Sequence, residues 1–179
     1  MDLFSHHNEK NKHLREPLAS KMRPRSFDQF VGQTHLVGKN SALRLMIESG
    51  RVQSMIFWGP PGTGKTSLAL LIASLIEYHF DSLSAVESGV SDLRRSIFEA
   101  NERFTLNNIK TVLFIDEVHR FNKAQQDVIL PSVEDGTVVL IGATTENPSF
   151  EINPPLLSRA RIFTLDSLTQ ADIKNVVIN

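Results

Sequence analysis

Residues 57–67 read "FWGPPGTGKTS". Glycines and prolines are concentrated there, between one apolar run, Met55 to Trp58, and a second that extends from Ser67 to Ile76. Both residue types weaken regular structure, so folding alone gives no reason to place them at that junction. The short run before them suits a buried strand, and the nearly continuous apolar run after them suits a helix covered on most sides. Gly59 to Thr66 fits G-x-x-x-x-G-K-[ST] between a strand and a helix, the context in which that pattern cradles phosphate. Gly62 and Gly64 let the backbone curl until successive N–H groups point inward, and the helix that starts there adds the positive end of its dipole. The expected triphosphate-binding residues are therefore Gly59, Pro60, Pro61, Gly62, Thr63, Gly64, Lys65, Thr66 and Ser67. Lys65 is placed to reach the terminal phosphates and Thr66 a magnesium ion.

The sequence on either side has its own punctuation. Residues 17–33, "PLASKMRPRSFDQFVGQ", carry apolar anchors at Leu18, Met22, Phe27, Phe30 and Val31 and read as a structured lead-in. Residues 1–16 are polar, rich in His, Asn and Lys, and read as a loose, disordered tail. His6 and His7 have no carboxylate or third imidazole at ligand spacing, so solvated side chains are expected there rather than a metal site. After the loop, Ser82 to Val86 fits a second strand, and Leu93, Ile97, Ala100 and Phe104 repeat with the spacing of an amphipathic helix over 91–104. "TVLFID" at 111–116 is apolar on both faces, as a central parallel strand is. Asn122 and Gln125 form a capping box that opens a helix, which Pro131 is expected to help end. "TVVLIGAT" at 137–144 and "RIFTL" at 161–165 supply two further strands. This alternation predicts an α/β fold: a parallel sheet with helices on both faces, binding its ligand at the carboxyl ends of the strands.

The chain has 179 residues, 41% of them hydrophobic and 22% charged, enough for one core and one compact domain. It contains no cysteine, which excludes disulfide frameworks, Cys-ligated zinc and thiol nucleophiles and favours an intracellular protein. No apolar run approaches the roughly 18 residues of a membrane span, and "MDLFSHHNEKNK" has no signal-peptide core. A soluble, cytoplasmic protein with no membrane partner is the expectation. A formal net charge of -1 supplies no basic field, so any nucleic-acid contact must be local or come from sequence beyond this chain.

Three further stretches carry chemistry. In "VLFIDEVHR", Asp116 leaves a buried strand at its carboxyl end, where a carboxylate can hold magnesium directly or through water. Glu117 follows it, free of a ligand's duties and able to polarise a water for in-line attack on the terminal phosphorus. In "LIGATTEN", Thr144, Thr145 and Asn147 leave another buried strand at the level of a terminal phosphate or the attacking water; polar caps of a strand would look the same. In "LLSRARIF", Arg159 and Arg161 bracket one small residue, a pair that means little without a template.

Together these stretches resemble an AAA+ ATPase. "PLASKMRPRSFDQFVGQTHLVG", "MIFWGPPGTGKTSLA", "FIDEVHRFNKAQQD", "PSVEDGT" and "IGATTENPSFEINPPLLSRARIF" are similar to the replication-associated recombination protein A family, whose eukaryotic relatives are the Werner helicase-interacting protein ATPases. The likeness runs from about Pro17 to the end, with "GATTENPSF" and "DEVHRFNK" specific to that family. It implies the AAA+ P-loop core, a five-stranded parallel sheet in the order 5-1-4-3-2 between helices, and a DNA-dependent ATPase at stalled or gapped replication forks. It also implies ATP and Mg²⁺ as cofactors. The partners implied are single-stranded, forked or gapped DNA, further copies of the chain in a homo-oligomer (a tetramer), and a single-stranded-DNA-binding protein, at the nucleoid. Arg159 matches the arginine that clamp-loader relatives insert into a neighbouring subunit's ATP site, with Arg161 as the alternative. Thr145 matches the polar sensor, with Asn147 as the second choice. Met22 to Pro24 and Val31 to Gln33, including Val31 and Gly32, match the segment that covers the adenine.

Two departures from the family pattern bear on what to expect. The chain stops at Asn179, just after the fifth strand, where the family continues into a helical lid and an oligomerisation region; the expectation is the ATPase core, residues 17–179, of a longer protein, with weakened nucleotide binding and turnover. The cysteine-free amino terminus lacks the ubiquitin-binding zinc finger of the eukaryotic members, which favours the bacterial branch. Three other functions compete: an ATP-gated scaffold without useful turnover, a clamp loader or Holliday-junction motor sharing this core, and a GTPase switch. "NKAQ" at 122–125 lacks the Asp of a guanine-reading N-K-x-D, which disfavours the last.

Overall fold

A computed structural model describes residues 23–178 of the chain. The tail at 1–16, the histidine pair and the anchors Leu18 and Met22 lie outside the described residues. Five parallel strands form one sheet: β1 (Ser54–Trp58), β2 (His79–Ser84), β3 (Thr111–Asp116), β4 (Val138–Thr144) and β5 (Ala160–Thr164), in the spatial order β2-β3-β4-β1-β5. That is the expected 5-1-4-3-2 order read from the other edge.

Strand β3 shows why the sheet is covered twice. Val112 and Phe114 enter one core, with β1, the lead-in residues Phe27 and Phe30, and the helices α1 (Thr34–Val37), α2 (Ala42–Glu48) and α3 (Lys65–Leu75). Leu113 and Ile115 enter the other, with α4 (Val90–Asn107) and α5 (Lys123–Glu134). Residues that alternate faces with a period of two and are apolar at every position require an apolar layer on each side.

Several expected boundaries move. Strand β2 begins at His79 rather than Ser82 and ends at Ser84, pairing in register from His79↔Thr111 to Ser84↔Asp116, while Val86 is left exposed. As an edge strand it has mixed burial and no clean apolar pattern, which is why its start was not legible. Helix α5 opens on the expected box, Asn122 Oδ1 accepting from the Gln125 amide and Gln125 Oε1 from the Asn122 amide, each at 2.9 Å. It runs through Pro131 to Glu134 instead of ending there. Pro131 and Asp127 lie on the solvent side, so the Asp127 carbonyl that loses its helical donor is not buried unpaired, while buried Ile129 and Ser132 hold the helix to the core. Beyond β5 the chain folds α8 (Gln170–Ile178) after the short helices α6 (Pro148–Glu151) and α7 (Pro154–Leu157). Thr169 and Asp172 cap α8 reciprocally, at 2.9 and 3.1 Å. The T-x-x-D pattern of this cap is legible in the sequence as a helix start.

Buried Gln33 fastens the lead-in to this end of the molecule. Its amide receives the Asp166 N–H at 2.9 Å, donates to the Asp166 carbonyl at 2.6 Å, and makes a longer contact, 3.4 Å, to the Thr63 carbonyl of the loop. The lead-in, the phosphate loop and the exit from β5 are thereby held as one unit at the carboxyl end of the sheet.

Candidate active site

The loop between β1 and α3 has the left-handed backbone expected at its glycines, with φ of 77° at Gly62 and 92° at Gly64. Gly59 is needed for a different reason: a Cβ there would stand 2.2 Å from the Leu165 carbonyl oxygen, so only glycine lets the loop pass the end of β5. Helix α3 begins at Lys65, two residues earlier than the apolar run suggested, which brings its dipole to the loop itself. Lys65 is only 8% exposed, and its ammonium donates to the carbonyls of Gly59 at 2.7 Å and Pro60 at 2.8 Å. Burial lowers its pKa, and the charges of Glu117 and Asp116 act in the opposite direction.

A cavity of about 380 Å³ is lined by Pro61 to Ser67 together with Asp116 and Glu117, so the two sequence motifs meet in space. Asp116, at the end of β3, accepts the Glu117 N–H at 3.2 Å. Glu117 has φ of 52°, a left-handed conformation uncommon outside glycine, and this turns the chain sharply into the 3₁₀ turn Val118–Arg120. Among the described residues no three His, Asp or Glu side chains gather as an all-protein metal cage. The Thr66 hydroxyl and the Asp116 carboxylate on one cavity are hard oxygen donors, the sparse set that suits Mg²⁺ completed by phosphate and water oxygens.

The three polar residues after β4 separate. Thr145 contacts Glu117 Oε2 through its hydroxyl at 3.4 Å. Thr144 is fully buried and bonded to both backbone groups of Glu146, and Asn147 caps α6 by accepting the Ser149 amide at 3.0 Å. His119, which no spacing in the sequence singles out, joins them: its Nδ1 lies 3.2 Å from Glu117 Oε2 and 2.9 Å from Thr144 Oγ1.

A second cavity, of about 390 Å³ and mainly apolar, shares Gly62, Thr63, Gly64 and Ser67 with the first as lining. Val31 lines it with Pro24, Phe30, Leu168 and Val176, the last two being contributions of the β5–α8 segment that sequence reasoning missed. Gly32 stands behind it: a Cβ there would meet Leu168 Cδ2 at 2.6 Å. A cavity lined by the loop and the acidic pair beside a mainly apolar one suits the two halves of a nucleoside triphosphate, its phosphates and its base.

Arg159 lies elsewhere. It precedes β5 at the amino end of the sheet, about 20 Å below the phosphate loop by strand rise, beside a cavity of about 730 Å³. There it pairs with Glu134 and donates to the Pro155 carbonyl at 2.9 Å, while Arg161 donates to Gln53 at 3.0 Å. Neither arginine joins the site of its own chain.

A glycine-rich loop after β1, an acidic pair at the end of β3 and a strand inserted between them define a P-loop nucleoside triphosphatase fold. Residues 55–167 match the family model described as the ATPase family associated with various cellular activities (AAA), and the chain belongs to that family. It is 57% identical to the replication-associated recombination protein A of Haemophilus influenzae, over 90% of this chain and 36% of that one. The protein of the same name in Escherichia coli strain K12 is 52% identical, again over 90% of this chain and 36% of the other. The chain thus spans about a third of the length of these curated relatives. Among solved structures, the Thermotoga maritima RuvB Holliday junction branch migration motor superposes with a TM-score of 0.68 and 34% identity, covering 87% of this chain and 52% of that one.

Proposed function

We propose that this chain is the ATP-hydrolysing core of a protein that works on DNA during replication and recombination. The observation that carries the hydrolytic part is the meeting of residues 61–67 with Asp116 and Glu117 around one cavity, which shares four lining residues with a mainly apolar one. In this reading the loop amides and Lys65 bind the β- and γ-phosphates, and Thr66 with Asp116 holds Mg²⁺. The metal, when bound, neutralises charge on the phosphates. Glu117 orients and deprotonates the attacking water, and Thr145 lies beside that carboxylate where it can sense the terminal phosphate. Val31 and its apolar neighbours receive the base, and fixed charge and dipoles at the site supply most of the acceleration.

Arg159 serves a neighbouring copy. Its distance from its own loop forbids a role in cis, and its position at the opposite end of the sheet suits a homo-oligomer, a tetramer in the whole protein. The DNA part rests on the relatives, named for replication and recombination, and on likeness to a branch migration motor. DNA and a single-stranded-DNA-binding protein would be met mainly by parts outside these residues, at the nucleoid.

The test is steady-state phosphate release with ATP or GTP, with and without Mg²⁺ and single-stranded or forked DNA. ATP-selective release that requires Mg²⁺ and rises with DNA is expected; release preferring GTP, or indifferent to metal and DNA, contradicts the proposal. In the same assay, Arg159→Ala should leave ATP affinity of the single chain unchanged within about twofold, since one rim-remote charge adds little at that range. A loss of affinity would place the arginine in cis.

A further inference from the structure

His119 contacts the carboxylate proposed to activate water, and its hydrogen bonds define which proton it carries. Glu117, when ionised, can only accept, so the group facing its Oε2 at 3.2 Å, His119 Nδ1, must be a donor. The Thr144 side accommodates the same assignment. Its Oγ1 accepts the Glu146 amide at 3.0 Å and directs its own proton to the Glu146 carbonyl at 3.2 Å. With its proton so directed, a lone pair of Thr144 faces His119 Nδ1 at 2.9 Å. The Glu117 carboxylate requires hydrogen on Nδ1, and Thr144 can accept from the same N–H.

Three features fix the ring in place. Thr144 is fully buried and rigid at the end of β4, the His119 side chain is 11% exposed, and buried Val118 pins the turn that carries it. The left-handed backbone at Glu117, φ 52°, is what folds a residue two positions on back beside the Glu117 side chain.

We infer that His119 is a positioning residue: its Nδ1–H, shared between Glu117 Oε2 and Thr144 Oγ1, leaves the second carboxylate oxygen free to act and joins the base to the end of β4 as one unit. This rests on Glu117 being the group that activates water. A base held in a single orientation does not have to be ordered during the reaction, so the tie raises turnover and leaves nucleotide binding alone.

Two substitutions separate positioning from packing. His119→Asn is smaller but keeps an N–H near the place of Nδ1; His119→Phe keeps the ring volume and has no donor. A positioning role makes kcat of His119→Phe fall by about 10- to 100-fold, the worth of one hydrogen bond to a charged group, with KM and ATP affinity within about twofold, while His119→Asn recovers most of the loss. Phe at the parental rate, or Asn no better than Phe, overturns the inference. Glu117→Gln run beside them keeps the two ideas apart. If that variant is inactive and the His119 variants are unaffected, only the positioning role fails; if it turns over normally, the base assignment fails and this inference with it. Nitrogen-detected NMR of the full chain gives a readout that needs no turnover: His119 should appear with its proton on Nδ1, and a ring protonated on Nε2 alone would refute the assignment.

Discussion

Glu117→Gln is expected to bind ATP as tightly as the parent, or slightly more tightly, and to lose turnover by roughly 10²- to 10⁴-fold, the usual contribution of a positioned general base. The substitution is nearly isosteric. A Gln oxygen can still accept from His119 and lie near Thr145, so the contacts at 3.2 and 3.4 Å need not be lost. What disappears is the ability to take a proton and one negative charge at the rim of a cavity that receives a polyanion. Removing that charge does not weaken phosphate binding, which is why affinity and rate should part company. Equal turnover in the variant and parent would show that Glu117 is not the base.

Lys65→Ala is expected to lower ATP affinity by at least about 100-fold. Two charge-assisted hydrogen bonds to phosphate at about 1.5–3 kcal/mol each exceed 3 kcal/mol together, and each 1.4 kcal/mol is tenfold in affinity. The fold should not suffer, because alanine is the best helix former and Lys65 is the first residue of α3. Burial holds the Lys65 pKa below its ordinary value in the folded chain, so keeping the ammonium there costs stability at neutral pH. That cost is relieved as pH rises through the lowered folded pKa towards the unfolded one, and Lys65→Ala should lack this gain. Calorimetric titration with ATP and a thermal melt of the same sample check both statements; unchanged affinity would remove Lys65 from the phosphate site.

The parts of this molecule legible in the sequence are those where local chemistry and global fold agree. Residues 111–116 and 138–144 are apolar on both faces and could only be central strands, and the loop glycines fall where backbone geometry needs them. The His79–Ser84 strand was misplaced because an edge strand half in water has no apolar rhythm. Pro131 misled because its effect depends on which side of α5 faces solvent, a tertiary fact. At the site, residues that sit in a motif are legible, and the side-chain pairings that only the fold creates are not. His119 meets Thr144 across 25 positions, Gln33 meets Asp166 across 133, and Leu168 and Val176 close a cavity begun at Pro24. No spacing rule connects such positions; the parallel sheet does, by gathering the carboxyl ends of its strands.

The central claim is that residues 59–67 and the Asp116–Glu117 pair enclose a magnesium-bound triphosphate. Backbone amide NMR of the chain titrated with a non-hydrolysable ATP analogue and Mg²⁺ tests it most directly. The largest shifts should fall on the amides of Gly62 to Thr66, followed by Asp116 and Glu117, with smaller ones at Val31. Shifts confined to the cavity around Arg159 and Arg161 at the other end of the sheet, or no shifts at millimolar nucleotide, would contradict it.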